Sequence, residues 1–288
     1  MPPGSLLSSL QSTATTTAAE LRPPRAELDA AAGIEAWIDT YHAVRGLTRQ
    51  DTYVFVTDSA VGQLEEHNLR HMVTNLGDDA PRERVVPFLT SKHTLDYGLN
   101  YADRAWEHGF RSLVALGGDT SLGAPRCVAH GWQLRQAIRD RRPELELGGW
   151  ANPHSDPVAQ VGYLMESEAT TDFFLTQIVS HHDPATVERF LREADRHGLE
   201  LPGMFGVFYY RSANRRTLDA LAPFLPVPRQ ALEAEFAAGM TPTAICARTV
   251  HALRQVGVRH VYVSNLPVGR APRVLREILN GPADDDSR

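Results

Sequence analysis

Eight short apolar runs, each closed by a turn signal and followed by helical spacing, constrain this chain more than any single motif. The runs fall at residues 15–21, 53–57, 85–90, 111–116, 145–150, 172–177, 203–208 and 259–265. Helical spacing follows at 33–45, 64–76, 95–108, 127–140, 157–168, 184–197, 241–256 and 271–279, with shorter helices between 210 and 241. Most runs lack polar alternation, as expected of strands buried on both faces. Eight such units within residues 14–280 predict a single-domain α/β protein, a (β/α)8 TIM barrel. A doubly wound sheet is the alternative, but no Gly-x-Gly-x-x-Gly follows any run.

The fourth run is the clearest. Val114-Ala115-Leu116 leads into Gly117-Gly118-Asp119-Thr120, where two glycines permit a sharp turn and close ligand approach. A carboxylate then stands at the strand's carboxyl end, the face on which parallel α/β proteins place chemistry. The structural alternative is that Asp119 caps the next helix.

Composition narrows the classes. Hydrophobic residues at 42% and charged residues at 22% are ordinary for a globular chain, and a net charge of −6 offers no basic footprint for nucleic acid. No apolar run is long enough to span a membrane. Cys127 and Cys246 lie far apart without paired spacing, which suggests a reducing compartment and a cytoplasmic location. Residues 1–13 lack the basic start and apolar centre of a signal peptide and are expected to be a flexible extension. Residues 281–288 are expected to be a disordered acidic tail. The sequence carries no signal for an oligomeric state.

A barrel would bring the strand ends to one rim. That rim carries Glu20, Thr57 with Asp58, Thr90 with Lys92 and His93, Asp119, Asn152 with His154, Gln177, Tyr209 with Tyr210, and Asn265. Carboxylates among neutral hydrogen-bonding groups suit a flat, amide-rich heterocycle better than a phosphate cluster. No metal site is expected. His181-His182-Asp183-Pro184 reads as a strand end and helix cap, and the histidines lack the helical pair spacing of a zinc motif. Lys92, the one lysine, offers an alternative, a Schiff-base aldolase or lyase, although its Ser-Lys-His turn predicts little desolvation.

Several segments, in order along the chain, resemble the methylenetetrahydrofolate reductase family. Ala19-Glu20-Leu21-Arg22-Pro23-Pro24 is similar to the family's Phe-Glu-Phe-Phe-Pro-Pro, and Val54-Phe55-Val56-Thr57 to its Val-x-Val-Thr. Pro87-Phe88-Leu89-Thr90 resembles His-Leu-Thr-Cys, Leu116-Gly117-Gly118-Asp119 resembles Leu-Arg-Gly-Asp, and Thr176-Gln177 matches the family's Thr-Gln. The resemblance implies reduction of 5,10-methylenetetrahydrofolate to 5-methyltetrahydrofolate with NAD(P)H, a step toward methionine. It implies Glu20 as general acid, Asp119 as stabiliser of developing positive charge, and Gln177, Asp119 and Tyr209 as substrate-binding residues. Thr57, Thr90, Asp119, Trp150 and His154 would be cofactor-binding.

At the flavin positions the sequence departs from the family. Phe88 stands where a flavin-contacting His is usual, and Glu166 where a lysine meets the flavin phosphate. NAD(P)H is therefore the expected reductant, FAD stays open, and a non-catalytic tetrahydrofolate-binding protein is a further alternative.

Overall fold

The computed structural model of the protein describes residues 4–24, 28–58, 68–77, 80–120 and 123–281. Eight strands are present, β1 (Thr17–Leu21), β2 (Tyr53–Val56), β3 (Val85–Thr90), β4 (Ser112–Leu116), β5 (Glu146–Ala151), β6 (Phe173–Val179), β7 (Gly203–Phe208) and β8 (His260–Ser264). They close into a ring in chain order, every neighbouring pair parallel, with β1 hydrogen-bonded to both β2 and β8. The expected (β/α)8 barrel is the fold observed.

Among the described residues the helices are α1 (Leu6–Leu10), α2 (Ala30–Thr48), α3 (Asn68–Asn75), α4 (Leu95–Glu107), α5 (Gly131–Arg141) and α6 (Pro157–Met165). They continue with α7 (Pro184–His197), α8 (Arg215–Leu221), α9 (Arg229–Ala237), α10 (Pro242–Gln255) and α11 (Ala271–Asn280). None of these helices is long and apolar enough to cross a membrane. Local chemistry sets their limits. Asp183 caps α7 by accepting from the Thr186 amide, Pro184 occupies the first turn, and Gly198 ends the helix at φ 66°.

Strand alternation sorts the buried side chains into two layers. Ala19, Leu21, Val54, Val56, Val85, Leu89, Leu113, Ala115, Phe205 and Val207 face outward under the helices. Ala18, Phe55, Val86, Phe88, Val114, Phe173, Leu175, Met204, Phe208 and Tyr262 fill the interior. Large and small residues complement each other there. A Cβ on Gly206 would come within 2.5 Å of the Tyr262 hydroxyl, and one on Gly148 within 2.7 Å of the Phe173 ring.

Residues 4–13 correct the expected flexible extension. They include α1, which closes the amino-terminal mouth of the barrel, with Leu6 and Leu10 at 0% and 2% exposure. Tyr53 donates to the carbonyls of Gly4 and Ser5 at 2.7 and 3.0 Å, and the Leu7 amide reaches Glu146 Oε2 at 3.2 Å. Two leucines buried against the ends of the strands outweigh the turn-forming serines around them. Residues 1–3 and the expected acidic tail from 282 lie outside the described residues.

Candidate functional site at the carboxyl rim

Glu20 holds the inward-facing position two residues after Ala18 on β1, in register with Phe55 on one side and Ser264 on the other. Ser264 Oγ donates to its Oε1 at 2.7 Å. Burial raises the Glu20 carboxyl above the usual range, although Ser264 and Arg22 work the other way. The same burial, with the Glu20 charge nearby, pushes the Tyr262 phenol well up. The result is a buried carboxyl beside aromatic walls, with the Phe55 ring 5.7 Å from both Phe88 and Tyr262.

One quarter of the rim is organised by Asp58, which follows the end of β2. Its Oδ2 accepts from the amide and hydroxyl of Thr90 at 2.7 and 2.8 Å, and His93 Nε2 donates to it at 2.9 Å. His93 in turn lies against the Tyr97 ring at 4.5 Å. Thr57 and Thr90 continue the inward parity of their strands, so both stand on the mouth side as expected. The role of Asp58 as hub was not assigned from sequence. The signal was present in three polar strand-end residues that need a common acceptor.

Asp119 sits three residues past the end of β4, on the same rim as Glu20, after Gly118 at φ 74°. Its loop folds back on itself. Arg126 donates to the Gly118 carbonyl and lies over Gly117, where an added Cβ would meet its guanidinium at 2.8 Å. Ser91 Oγ and Lys92 Nζ tie the loop down through the carbonyls of Gly117 and Ala124, at 2.8 and 2.6 Å. Lys92 is 7% exposed, so the expected solvent-washed turn is corrected; its ammonium is buried as a loop anchor.

Other expected positions are distributed differently. Tyr209 packs outward under α10 with its hydroxyl 3.4 Å from Thr243 Oγ1, so it is not brought to the mouth. Tyr210 is the inward residue, its ring 4.8 Å from Phe208 and its buried hydroxyl without a hydrogen-bond partner among the described residues. Counting in twos from Met204 and Phe208 would have chosen it. Gln177 lies in a β-bulge of β6, where the register slips between Leu175 and Ile178. Its amide accepts from the Ile178 amide at 2.9 Å and donates to the Phe224 carbonyl at 3.2 Å, pinning the excursion between β7 and α10. His154 is on the rim, with Nε2 donating to the Ile178 carbonyl at 2.8 Å.

Trp150 lines a cleft of about 550 Å³ with Leu116, Arg126, Arg135, Tyr163 and Glu166. Beneath it β4 and β5 pair from Ser112 to Val114. Arg135 donates to the carbonyls of Ala115 on β4 and Ala169 in the turn before β6, at 2.9 Å each.

Fold and rim together define the class as a (β/α)8 barrel with an acid-bearing, aromatic-walled mouth. No family model and no curated protein sequence matches the chain. Among solved structures it is similar to an uncharacterized protein from Clostridium thermocellum that binds two copies of 5-methyl-5,6,7,8-tetrahydrofolic acid. That match has TM-score 0.67 and 15% identity and covers 94% of this chain and 98% of that one. An F420-dependent secondary alcohol dehydrogenase in complex with an F420-acetone adduct matches with TM-score 0.54 and 10% identity, over 93% and 99% of the two chains. 2,3-Dimethylmalate lyase, a PEP mutase/isocitrate lyase superfamily member, matches with TM-score 0.51 and 9% identity, over 94% and 82%. At these identities the shared property is the fold.

Proposed function

We propose that the protein binds a reduced folate at the carboxyl rim and reduces 5,10-methylenetetrahydrofolate to 5-methyltetrahydrofolate, with Glu20 as the general acid. The observation that carries this reading is the inward, buried Glu20 carboxyl, raised above the ordinary carboxylate range by burial and oriented by the hydroxyl of Ser264. Support also comes from the methyltetrahydrofolate bound by the structurally similar Clostridium thermocellum protein.

In this reading Glu20 protonates N10 of the folate as the N10–methylene bond breaks, leaving an N5 iminium. A nicotinamide reductant would supply the hydride that the exocyclic carbon takes up. Asp119, from the opposite side of the ring of strands, offsets the iminium charge, and Glu20 regains its proton from water. Tyr210 replaces Tyr209 as the substrate-facing phenol, because its buried hydroxyl has a bond to make.

In this reading the hydride reaches the folate without a flavin, because Glu166 in the cleft beside Asp119 opposes a flavin diphosphate. Arg126 and Arg135 each donate to two main-chain carbonyls, Glu166 adds negative charge, and Arg126 covers Gly117. A second reading, a folate binder without turnover, is favoured by the replaced flavin contacts at Phe88 and Glu166. The lysine-based alternative would forfeit the bond from Lys92 to Ala124.

Calorimetric titration with 5-methyltetrahydrofolate and anaerobic NADH or NADPH oxidation driven by methylenetetrahydrofolate test the proposal. Glu20→Gln should lower kcat about 10²-fold or more while folate affinity stays within a few fold. Near-normal turnover in that variant would remove the acid. Binding without turnover in the wild type would select the second reading, and a yellow protein with one FAD per chain would overturn the flavin-free part.

A further inference from the structure

Asp183 fulfils its expected capping role, but the two histidines before it do more than end a strand. His181 Nε2 lies 2.9 Å from Glu235 Oε1, and His182 Nε2 lies 3.0 Å from Glu235 Oε2. The rings lie 3.9 Å apart between centroids, which sets the two Nε2 atoms side by side. More than fifty residues separate the histidines from Glu235, so only the fold brings them together. We propose that His181, His182 and Glu235 form a binding site for a divalent zinc-type metal ion, fastening α9 to the end of β6.

Three features argue for an ion in addition to a plain ion-pair cluster. The candidate ligand atoms all lie within 4.8 Å of one another. Zinc–ligand bonds of about 2.0–2.1 Å in tetrahedral geometry put neighbouring ligands roughly 3.3 Å apart, so small shifts suffice. Second, the remaining nitrogen of each ring is already held by a hydroxyl, His181 Nδ1 by Thr249 Oγ1 and His182 Nδ1 by Ser180 Oγ, both at 2.7 Å. Thr249 also reaches the Ile245 carbonyl at 3.3 Å, so it can accept from Nδ1–H while passing its own proton on. With Nδ1 as donor on each ring, both Nε2 lone pairs are free for a metal, the arrangement that outer hydrogen bonds impose on histidine ligands.

Third, the side chains are only 9%, 15% and 10% exposed, so the ligands are oriented and shielded before any ion arrives. Arg248 opposes a cation by donating to Glu235 Oε1 at 2.9 Å, but its side chain is 55% exposed and free to return to water. Two imidazoles and one carboxylate match zinc's ligand preference and leave a fourth position for water. The site is separate from Glu20 and stands or falls independently of the folate reading.

The test is titration of metal-stripped full-length protein with cobalt(II) as a spectroscopic probe, then with zinc. One equivalent should bind with the intense visible bands of four-coordinate cobalt, zinc should displace it, and zinc should raise Tm. His182→Gln and Glu235→Gln, checked for folding by circular dichroism, should each weaken binding about 10-fold or more. Binding no tighter than millimolar, an unchanged Tm with zinc, or equal affinity in a folded His182→Gln variant would overturn the proposal. The wild-type measurements decide the matter even where a variant fails to fold.

Discussion

Glu20 carries two consequences of opposite sign. An unfolded chain holds this carboxyl at the ordinary 4.5, whereas burial raises it in the fold. The folded state therefore binds the proton more tightly. Its stabilising contribution is complete below the unfolded value and is lost as pH climbs through the folded value. Glu20→Gln has no such dependence, so its melting temperature relative to wild type should rise with pH across that window. Turnover should be flat at low pH and fall above the Glu20 value, because only the protonated form acts as an acid. Tyr210→Phe gives a complementary prediction. Removing a buried hydroxyl that lacks a partner should cost no stability and can add about 1 kcal/mol, while folate affinity drops. A Tyr210→Phe protein that is clearly less stable and binds folate normally would contradict the assignment.

Among the elements, the strands were legible in the sequence because they are buried on both faces and read as unbroken apolar runs. The barrel class followed from their number. What escaped was whatever depended on a local break in that regularity. Helix α1 is five residues long and lies in a Ser/Thr-rich stretch, so its two buried leucines gave no periodic signal. The bulge in β6 altered which neighbours the Gln177 amide meets, and no composition rule foretells a bulge. Tyr209 was the opposite case, since counting in twos along β7 pointed to Tyr210. The Asp58 hub and the His181–His182–Glu235 cluster are products of tertiary convergence, which spacing along one chain does not encode. For α1 the prediction is energetic. Leu6→Ala or Leu10→Ala should each cost about 2–5 kcal/mol by chemical denaturation. A loss under half a kcal/mol would restore the flexible-extension reading.

On the scale of the whole molecule, the ring of strands is closed, and Arg135 ties β4 to the turn before β6 through the carbonyls of Ala115 and Ala169. Burial pulls this guanidinium down to about 10, and it remains charged at neutral pH. Arg135→Met should leave two carbonyls without donors and cost about 3 kcal/mol, with amide exchange accelerating first along β4 and around Ala169. Uniform exchange across all eight strands would show that this tie is not a weak point.

The join between the first strand and the last carries a different consequence. β1 finds one of its two neighbours more than 240 residues later, and the Thr16 amide is paired there with His260 Nδ1 at 3.0 Å. During synthesis β1 must therefore wait for more than 240 further residues before its second edge is covered. A chain stalled before His260 exposes raw edges on β1 and β7, templates for pairing between nascent copies. Productive folding of this barrel is thus timed by translation itself, with its final pairing among the last to form.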